Sequence, residues 1–145
     1  MLKDKVAVVT GGTRGIGYAV VKKFLSNGAK VALFGSKKET VDKALASLKA
    51  ENAQWEVSGY YPNLMDADAV AETINKIKDE YGRIDILVNN AGISDSTKIE
   101  DYTSEQFTKV MQLNVNAIFN AVMPTVKIMK EQGGGCILNT SSMVS

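Results

Sequence analysis

The chain has 145 residues, 45% hydrophobic and 7% aromatic, which suits one domain with a buried core. Its formal charge is +1, and its scattered cations form no stripe for nucleic acid or an anionic membrane. Histidine is absent and Cys136 is the single cysteine, so His-based acid–base catalysis, zinc sites and an internal disulfide framework are excluded from this stretch.

At the amino end, Met1-Leu2-Lys3-Asp4-Lys5 leads straight into an apolar segment rather than a signal peptide. No apolar run reaches membrane-spanning length, so the expectation is a soluble, cytoplasmic α/β protein. Val6-Ala7-Val8-Val9 is an apolar run with three β-branched members, which predicts a strand buried on both faces. A glycine-rich turn from Thr10 to Gly17 follows at once. Ile16, Ala19, Val20 and Phe24 then recur at helical spacing, so a helix starts near Gly15 and stops at Asn27-Gly28. Lys30-Val31-Ala32-Leu33-Phe34 predicts the second strand. Ser36-Lys37-Lys38-Glu39 fits a capping box, and Val41, Ala44, Leu45 and Leu48 form the stripe of the second helix.

Residues 55–60 predict a third strand, followed by the turn Tyr61-Pro62-Asn63-Leu64. Val70, Ile74 and Ile77 mark a third helix closed by Tyr81-Gly82, and residues 84–88 a fourth strand ending in Asn89-Asn90-Ala91-Gly92. After a polar loop, a long helix is predicted over 103–131, capped by Thr103 and Gln106. Its residues Phe107, Val110, Met111, Val115, Ile118, Phe119, Val122 and Met123 are apolar on more than one side, so two buried faces are expected, with Pro124 as a candidate kink. Gly133-Gly134-Gly135 ends it, and residues 136–138 predict a fifth strand before Asn139-Thr140-Ser141-Ser142. Strict βα alternation implies a parallel sheet with right-handed crossovers. In such a sheet ligands bind at the carboxyl ends of the strands, where the glycine turn, residues 89–92 and Ser142 fall.

Strand, glycine turn and helix together open a dinucleotide-binding unit. Residues without a Cβ let the chain turn sharply and let a diphosphate approach the main chain. Unbonded N–H groups and the positive end of the helix then face the phosphates. The spacing is Gly11-x-x-x-Gly15-x-Gly17 rather than Gly-x-Gly-x-x-Gly, and turn glycines of purely structural use are the alternative.

Four signals stand in fixed order: Thr10-Gly11-x-x-x-Gly15-Ile16-Gly17, Asn89-Asn90-Ala91-Gly92, Leu113-Asn114-Val115 and Asn139-x-Ser141-Ser142. Together they resemble the short-chain dehydrogenase/reductase family, in the branch of 3-oxoacyl-carrier-protein reductases and bacterial hydroxysteroid dehydrogenases. The Thr10–Tyr18 stretch and Phe34-Gly35-Ser36 look most like the bile-acid hydroxysteroid dehydrogenases. The resemblance implies a Rossmann doubly wound parallel sheet, of which residues 1–145 hold the first five of seven strands. It implies hydride transfer between a nicotinamide cofactor and a carbonyl or secondary alcohol. Asn114 matches the family's catalytic Asn and Ser142 its Ser. The family's Tyr-x-x-x-Lys pair would follow Ser145, so these 145 residues are expected to bind cofactor and to be inactive alone. A non-catalytic nucleotide-binding module is the competing reading.

For the cofactor, Thr10, Gly11, Thr13, Arg14, Gly15, Ile16 and Gly17 are expected around the diphosphate. Ser36 and Lys37 stand at the end of the second strand, where a carboxylate would select NAD. None precedes Glu39, and Arg14 with the lysines suits a 2′-phosphate, so NADP is favoured with NAD as the alternative. Asn63 takes the place of the Asp usual beside adenine in the family, with Leu64 next to it; capping its own turn is its competing role. Asn90, Ala91 and Gly92 would leave room for the ribose, while Asp85 looks structural. Asn114, an amide amid apolar residues, needs a bond, and a backbone carbonyl across a helix kink would serve. No metal site is expected. The family's long helix commonly builds tetramers, and the two apolar faces of 103–131 agree with a homo-oligomer.

Overall fold

The computed structural model describes residues 1–142. Strand β1 (Val6–Val9) leads to helix α1 (Gly15–Ser26), β2 (Lys30–Phe34), α2 (Lys38–Glu51), β3 (Val57–Tyr60) and α3 (Ala67–Tyr81). Then come β4 (Ile86–Asn89), a single 3₁₀ turn (Ile99–Asp101), α4 (Ser104–Met111), a π-helical turn (Gln112–Asn116), α5 (Ala117–Glu131) and β5 (Cys136–Asn139).

All strand pairs are parallel, and the sheet order among the described residues is β3-β2-β1-β4-β5. The chain steps outward from β1 to β3, then crosses back to β4 on the other side of β1. Its winding therefore reverses between β1 and β4, and a crevice opens there at the carboxyl ends of the strands. Alternation along the strands divides the core in two. Val6, Val8, Ala32, Phe34 and Leu87 face Val70, Ile74 and Ile77 of α3 and Ala121 and Ile128 of α5. Ala7, Val9, Val31, Leu33, Ile86 and Val88 face Val21 and Leu25 of α1 and Val41, Ala44 and Leu48 of α2. The central strands β1, β2 and β4 thus bury both faces, as a sheet covered by helices on both sides must, while β3 is half-buried and β5 largely exposed.

Capping chemistry sets several boundaries. Asp66 accepts from the N–H groups of Asp68 and Ala69 at the start of α3, and Gly82 takes the left-handed conformation (φ 80°) that closes it. Thr103 and Gln106 form the capping box of α4. At α2 the expected box between Ser36 and Glu39 does not form. The cap position is Lys37, its side chain makes no capping bond, and Thr40 Oγ1 donates instead to the Lys37 carbonyl at 2.9 Å. β3 begins at Val57 rather than at residue 55, because Trp55 N–H donates to Asn52 O in a turn that finishes α2.

The predicted helix over 103–131 is interrupted, but not at Pro124, which lies inside an unbroken α5. The irregularity is the π turn, with Asn114 in its middle. Only one face is covered: α5 buries Ala117, Ala121, Thr125, Ile128 and Met129, and α4 buries nothing. Phe107, Met111, Val115, Phe119 and Met123 make an exposed stripe at intervals of four residues.

At the amino ends of the strands, Asp85 ties β1 to β4. It accepts from Val6 N–H at 3.0 Å and from Arg83 Nε and Nη2 at 2.8 and 2.6 Å, with Lys5 Nζ at 3.3 Å. Burial pushes this carboxyl up, but the bonds from Arg83, Val6 and Lys5 outweigh it and hold it below the usual carboxylate range. Gln132 pairs both polar groups of the Ile84 backbone, accepting at 3.2 Å and donating to its carbonyl.

Candidate functional site: a crevice at the sheet's point of reversal

The residues singled out in the sequence fall at the carboxyl ends of all five strands. Asn63 and Leu64 follow β3, Ser36 and Lys37 follow β2, and the segment from Thr10 to Gly17 follows β1. Asn90, Ala91 and Gly92 follow β4, and Ser142 follows β5. Asn114 reaches in from the π turn, because its Oδ1 lies 3.2 Å from where a Gly92 Cβ would be.

The β1 bank is made of main chain. Gly15 opens α1 at φ 56°, and a Cβ there would meet nothing within 4 Å, so its backbone borders open space. Gly17 is required for the opposite reason: its Cβ would sit 2.1 Å from the Gly11 carbonyl oxygen. Close approach of those two backbones brings the first turn of α1 over the end of β1. Arg14, in extended conformation, is the cap residue and makes no side-chain capping bond, and the first turn contains no acidic residue. The leading N–H groups and the positive helix end are therefore presented uncompensated, as a diphosphate needs. Exposed Ile16 puts an apolar side chain beside them. Thr13 packs where a Gly35 Cβ would be, 2.6 Å away, which joins this turn to the Ser36–Lys37 end of β2.

The β4 bank is made of polar side chains turned back onto backbone. Thr10 is buried, and its hydroxyl accepts from Asn90 N–H and Ala91 N–H, each at 3.0 Å. Asn90 Nδ2 lies 3.4 Å from the Gly11 carbonyl, and Thr140 Oγ1 donates to Asn90 Oδ1 at 3.3 Å. Asn89 Nδ2 donates to Asn139 Oδ1 at 2.9 Å, which locks β4 to β5. Asn114 satisfies both polar groups of Ile93: Ile93 N–H donates to Oδ1 at 2.9 Å, and Nδ2 donates to Ile93 O at 2.8 Å. A neutral amide has two donors and two lone pairs, so one of each is left for another partner.

Two features of this region had no sequence signal. Gln106, besides capping α4, donates to Thr97 Oγ1 at 2.9 Å, and Thr97 donates to Asp95 by hydroxyl and amide at 2.6 and 2.9 Å. The Thr97 hydroxyl and amide hold the Asp95 carboxyl below its usual range. Asn120 on α5 donates to the Leu64 carbonyl at 3.0 Å. Gln106 and Thr97 are 9 residues apart and Asn120 and Leu64 are 56 apart, and no local pattern joins either pair.

Around the remaining candidates, Asn63 Oδ1 accepts from Met65 N–H at 3.1 Å, so its carbonyl does close its own turn. Lys38 is paired with Asp42, which leaves Arg14 and Lys37 as the cations flanking the end of β2. Tyr18 and Lys22 have Tyr-x-x-x-Lys spacing within α1, but Lys22 pairs with Glu51 of α2 at 2.8 Å and Tyr18 packs on the α1–α2 core. Burial pushes the Tyr81 phenol up to about 12, away from use as a general acid near neutrality. A groove of about 610 Å³ between the end of α5 and β5 is lined by Val126, Met129, Lys130 and the three glycines. It lies at the amino end of β5, away from the crevice. Among the described residues no cluster of His, Cys, Asp and Glu could hold a metal ion, and no helix is long and apolar enough to cross a membrane.

The model of the short chain dehydrogenase family matches residues 5–145. The chain belongs to that family. It is 61% identical over 145 residues to a 3alpha-hydroxysteroid dehydrogenase of Mediterraneibacter gnavus, a match that covers 100% of this chain and 58% of the relative. It is 36% identical over 143 residues to a 3-oxoacyl-[acyl-carrier-protein] reductase of Thermotoga maritima, covering 99% of this chain and 57% of that one. Among solved structures, levodione reductase superposes with a TM-score of 0.92 at 31% identity, over 98% of this chain and 55% of that one. NAD+-bound xylitol dehydrogenase superposes with a TM-score of 0.91 at 31% identity, over 98% and 54%. The chain thus spans little more than half the length of these relatives. Membership of the family implies a nicotinamide cofactor, and the bare β1 bank, open over Gly15 and free of acid in the first helical turn, fits its diphosphate.

Proposed function

We propose that this domain is the cofactor-binding part of an NAD(P)-dependent oxidoreductase acting on a carbonyl or secondary alcohol. The observation that carries the reading is the crevice between β1 and β4, with unpaired main-chain donors of α1 on one bank and Asn114 on the other. Thr10, Gly11, Thr13, Arg14, Gly15, Ile16 and Gly17 hold the diphosphate side. Asn90, Ala91 and Gly92 face the ribose. Bound there, the nicotinamide group supplies or takes up a hydride. Ser142 donates to the substrate oxygen, and Asn114 holds a water with the donor and lone pair that Ile93 leaves over. Proton transfer to or from the substrate oxygen needs the family's Tyr and Lys, which have no counterpart in the crevice among the described residues. The 145-residue segment by itself binds cofactor and gives no turnover.

A hydroxysteroid such as a bile acid is the substrate class we favour over a 3-oxoacyl thioester, because the match to the hydroxysteroid dehydrogenase is 61% against 36% for the reductase. NADP is favoured over NAD, since Arg14 and Lys37 flank a β2 end that has no carboxylate, while exposed Ser36 makes no helix cap. Asn63 meets the adenine through Nδ2, which suits a ring nitrogen, and through the lone pair that Met65 leaves on Oδ1, which suits the amino group. The exposed stripe of α4 and α5 is proposed to pack on a second copy in a tetramer, in a cytoplasmic enzyme with no nucleic-acid or membrane partner.

The test is titration of the purified domain with NADPH and NADH. Saturable binding with tighter NADPH is expected, and Ser36→Asp should shift preference toward NADH. A properly folded domain that binds neither would remove the proposal.

A further inference from the structure

The loop after β3 is held in an unusual way. The peptide group joining Leu64 to Met65 is bonded at both ends. Its N–H donates to Asn63 Oδ1 at 3.1 Å, and its carbonyl accepts from Asn120 Nδ2 at 3.0 Å. Just beyond it, Asp66 N–H donates to the Asn63 carbonyl at 2.9 Å, and Asp66 caps α3. The Leu64 side chain packs on the core between α3 and α5. With its peptide plane and its side chain both fixed, Leu64 has little torsional freedom left. The orientation of the Asn63 side chain follows from the same clamp, because its oxygen is one of the two jaws.

Asn120 is the remote jaw. It lies on α5, 56 residues along the chain from Leu64, and half-buried. An amide has no packing advantage over the aliphatic side chains around it on this helix, so its hydrogen bond is the physical reason for a polar group there. Asn114, six positions earlier on the same helical run, grips Ile93 on the β4 side. One helical rod therefore braces both the loop after β3 and the loop after β4.

We propose that Asn120 is a positioning residue for the adenine end of the cofactor, acting through the Leu64–Met65 peptide. The inference rests on the reading of the crevice as a dinucleotide site with the base beside Asn63 and Leu64. Without the Asn120 donor, the Leu64 carbonyl turns toward water and the 63–65 turn samples orientations in which the base loses its partners. Binding of the adenosine half weakens while the nicotinamide half is untouched.

The experiment uses the natural polypeptide that contains these residues, as wild type, Asn120→Ala and Asn120→Asp. The Asp variant keeps the size of the side chain and replaces the donor with a carboxylate that repels the Leu64 carbonyl. It therefore serves if the Ala variant does not fold. Calorimetric titrations are made with adenosine 5′-monophosphate, nicotinamide mononucleotide and NADPH. Affinity for adenosine 5′-monophosphate and NADPH should fall about three- to tenfold in the variants, as for one lost hydrogen bond, with nicotinamide mononucleotide unchanged. In turnover, KM for the cofactor should rise while kcat at saturation stays. Folded variants that bind adenosine 5′-monophosphate like wild type would overturn the inference. So would equal weakening of both half-cofactors, which marks a general structural loss. Wild type that binds none of the three would instead sink the dinucleotide reading beneath it.

Discussion

On the β1 side of the crevice the surface offered to a ligand is backbone, made available by leaving side chains out. On the β4 side it is asparagine and threonine side chains folded back onto backbone. The first construction is all-or-nothing, because one added methyl at Gly17 collides with a carbonyl that belongs to the site. The second is graded. Thr10, Asn90 and Asn114 each contribute separate bonds of 2.8–3.4 Å, and each can be removed while the others stay. Two banks of one crevice should therefore fail differently when mutated.

The largest effect is expected at Gly17→Ala. Its Cβ would lie 2.1 Å from Gly11 O, a backbone atom that cannot swing aside, and 2.5 Å from Asn90 Nδ2. Relief requires the start of α1 to move, so a loss of about 3 kcal/mol or more is expected, with dinucleotide binding abolished in the same variant. Gly15→Ala sharpens the contrast. Nothing lies within 4 Å of that Cβ, and only the left-handed φ of 56° resists it. Its cost should be about 1–2 kcal/mol. Thermal melts and NADPH titration of the two variants decide this. A Gly15 variant hurt more than the Gly17 variant would break the account of the β1 bank.

Both banks rest on a common foot at the other end of the strands, where Asp85 accepts from Val6 of β1 and anchors Arg83 and Lys5. Asp85→Ala leaves a buried N–H and two cations without their acceptor and should cost about 2–3 kcal/mol. The pH dependence follows from the direction of its shift. A carboxyl held below its ordinary value stabilises the fold at pH above the unfolded value of about 3.9. That contribution is lost as pH falls through the lower folded value. Wild type should therefore lose stability on acidification more steeply than Asp85→Asn. Parallel acid limbs in chemical denaturation would show that Asp85 is not a clamp.

Thr10→Val tests the graded bank. The substitution keeps shape but leaves Asn90 and Ala91 N–H groups without the hydroxyl acceptor, so about 1–2 kcal/mol should be lost. Thr10→Ser, which keeps the oxygen, should recover most of it. Equal melting points for the Val and Ser variants would mean the methyl, not the hydroxyl, matters there.

The contrast between the banks also explains what could be read in the sequence. A glycine turn between a β-branched run and a helical stripe announces itself locally, so β1, α1 and the place of the crevice were legible. The faces of α3 were legible too, since Val70, Ile74 and Ile77 recur at helical spacing and are all fully buried. Contacts such as Asn120 to Leu64 or Gln106 to Thr97 were not, because an amide carries no mark of a partner that only folding brings near. The π turn was invisible for a related reason. Its residues have ordinary helical character, and Pro124, the one visible breaker, lies within a continuous α5. Ser36 misled because a capping box needs the helix to start there, and α2 starts with Lys37 as its cap.

The smallest stability effect is expected at Asn114→Ala. Its two bonds to Ile93 are solvent-accessible, so water replaces them in the variant and stability should drop by about 0.5–1 kcal/mol. The loop is a better reporter than the melting point. Ile93 N–H is protected by Asn114 Oδ1 in the wild type and should exchange with deuterium faster in the variant. The Thr97 N–H, held by Asp95 on the far side of the loop, should keep its wild-type rate. If both amides speed up together, the loop is one cooperative unit and the β4 bank is not graded. If neither does, Asn114 does not hold Ile93 in solution, and its amide is free for the water that the proposed chemistry gives it.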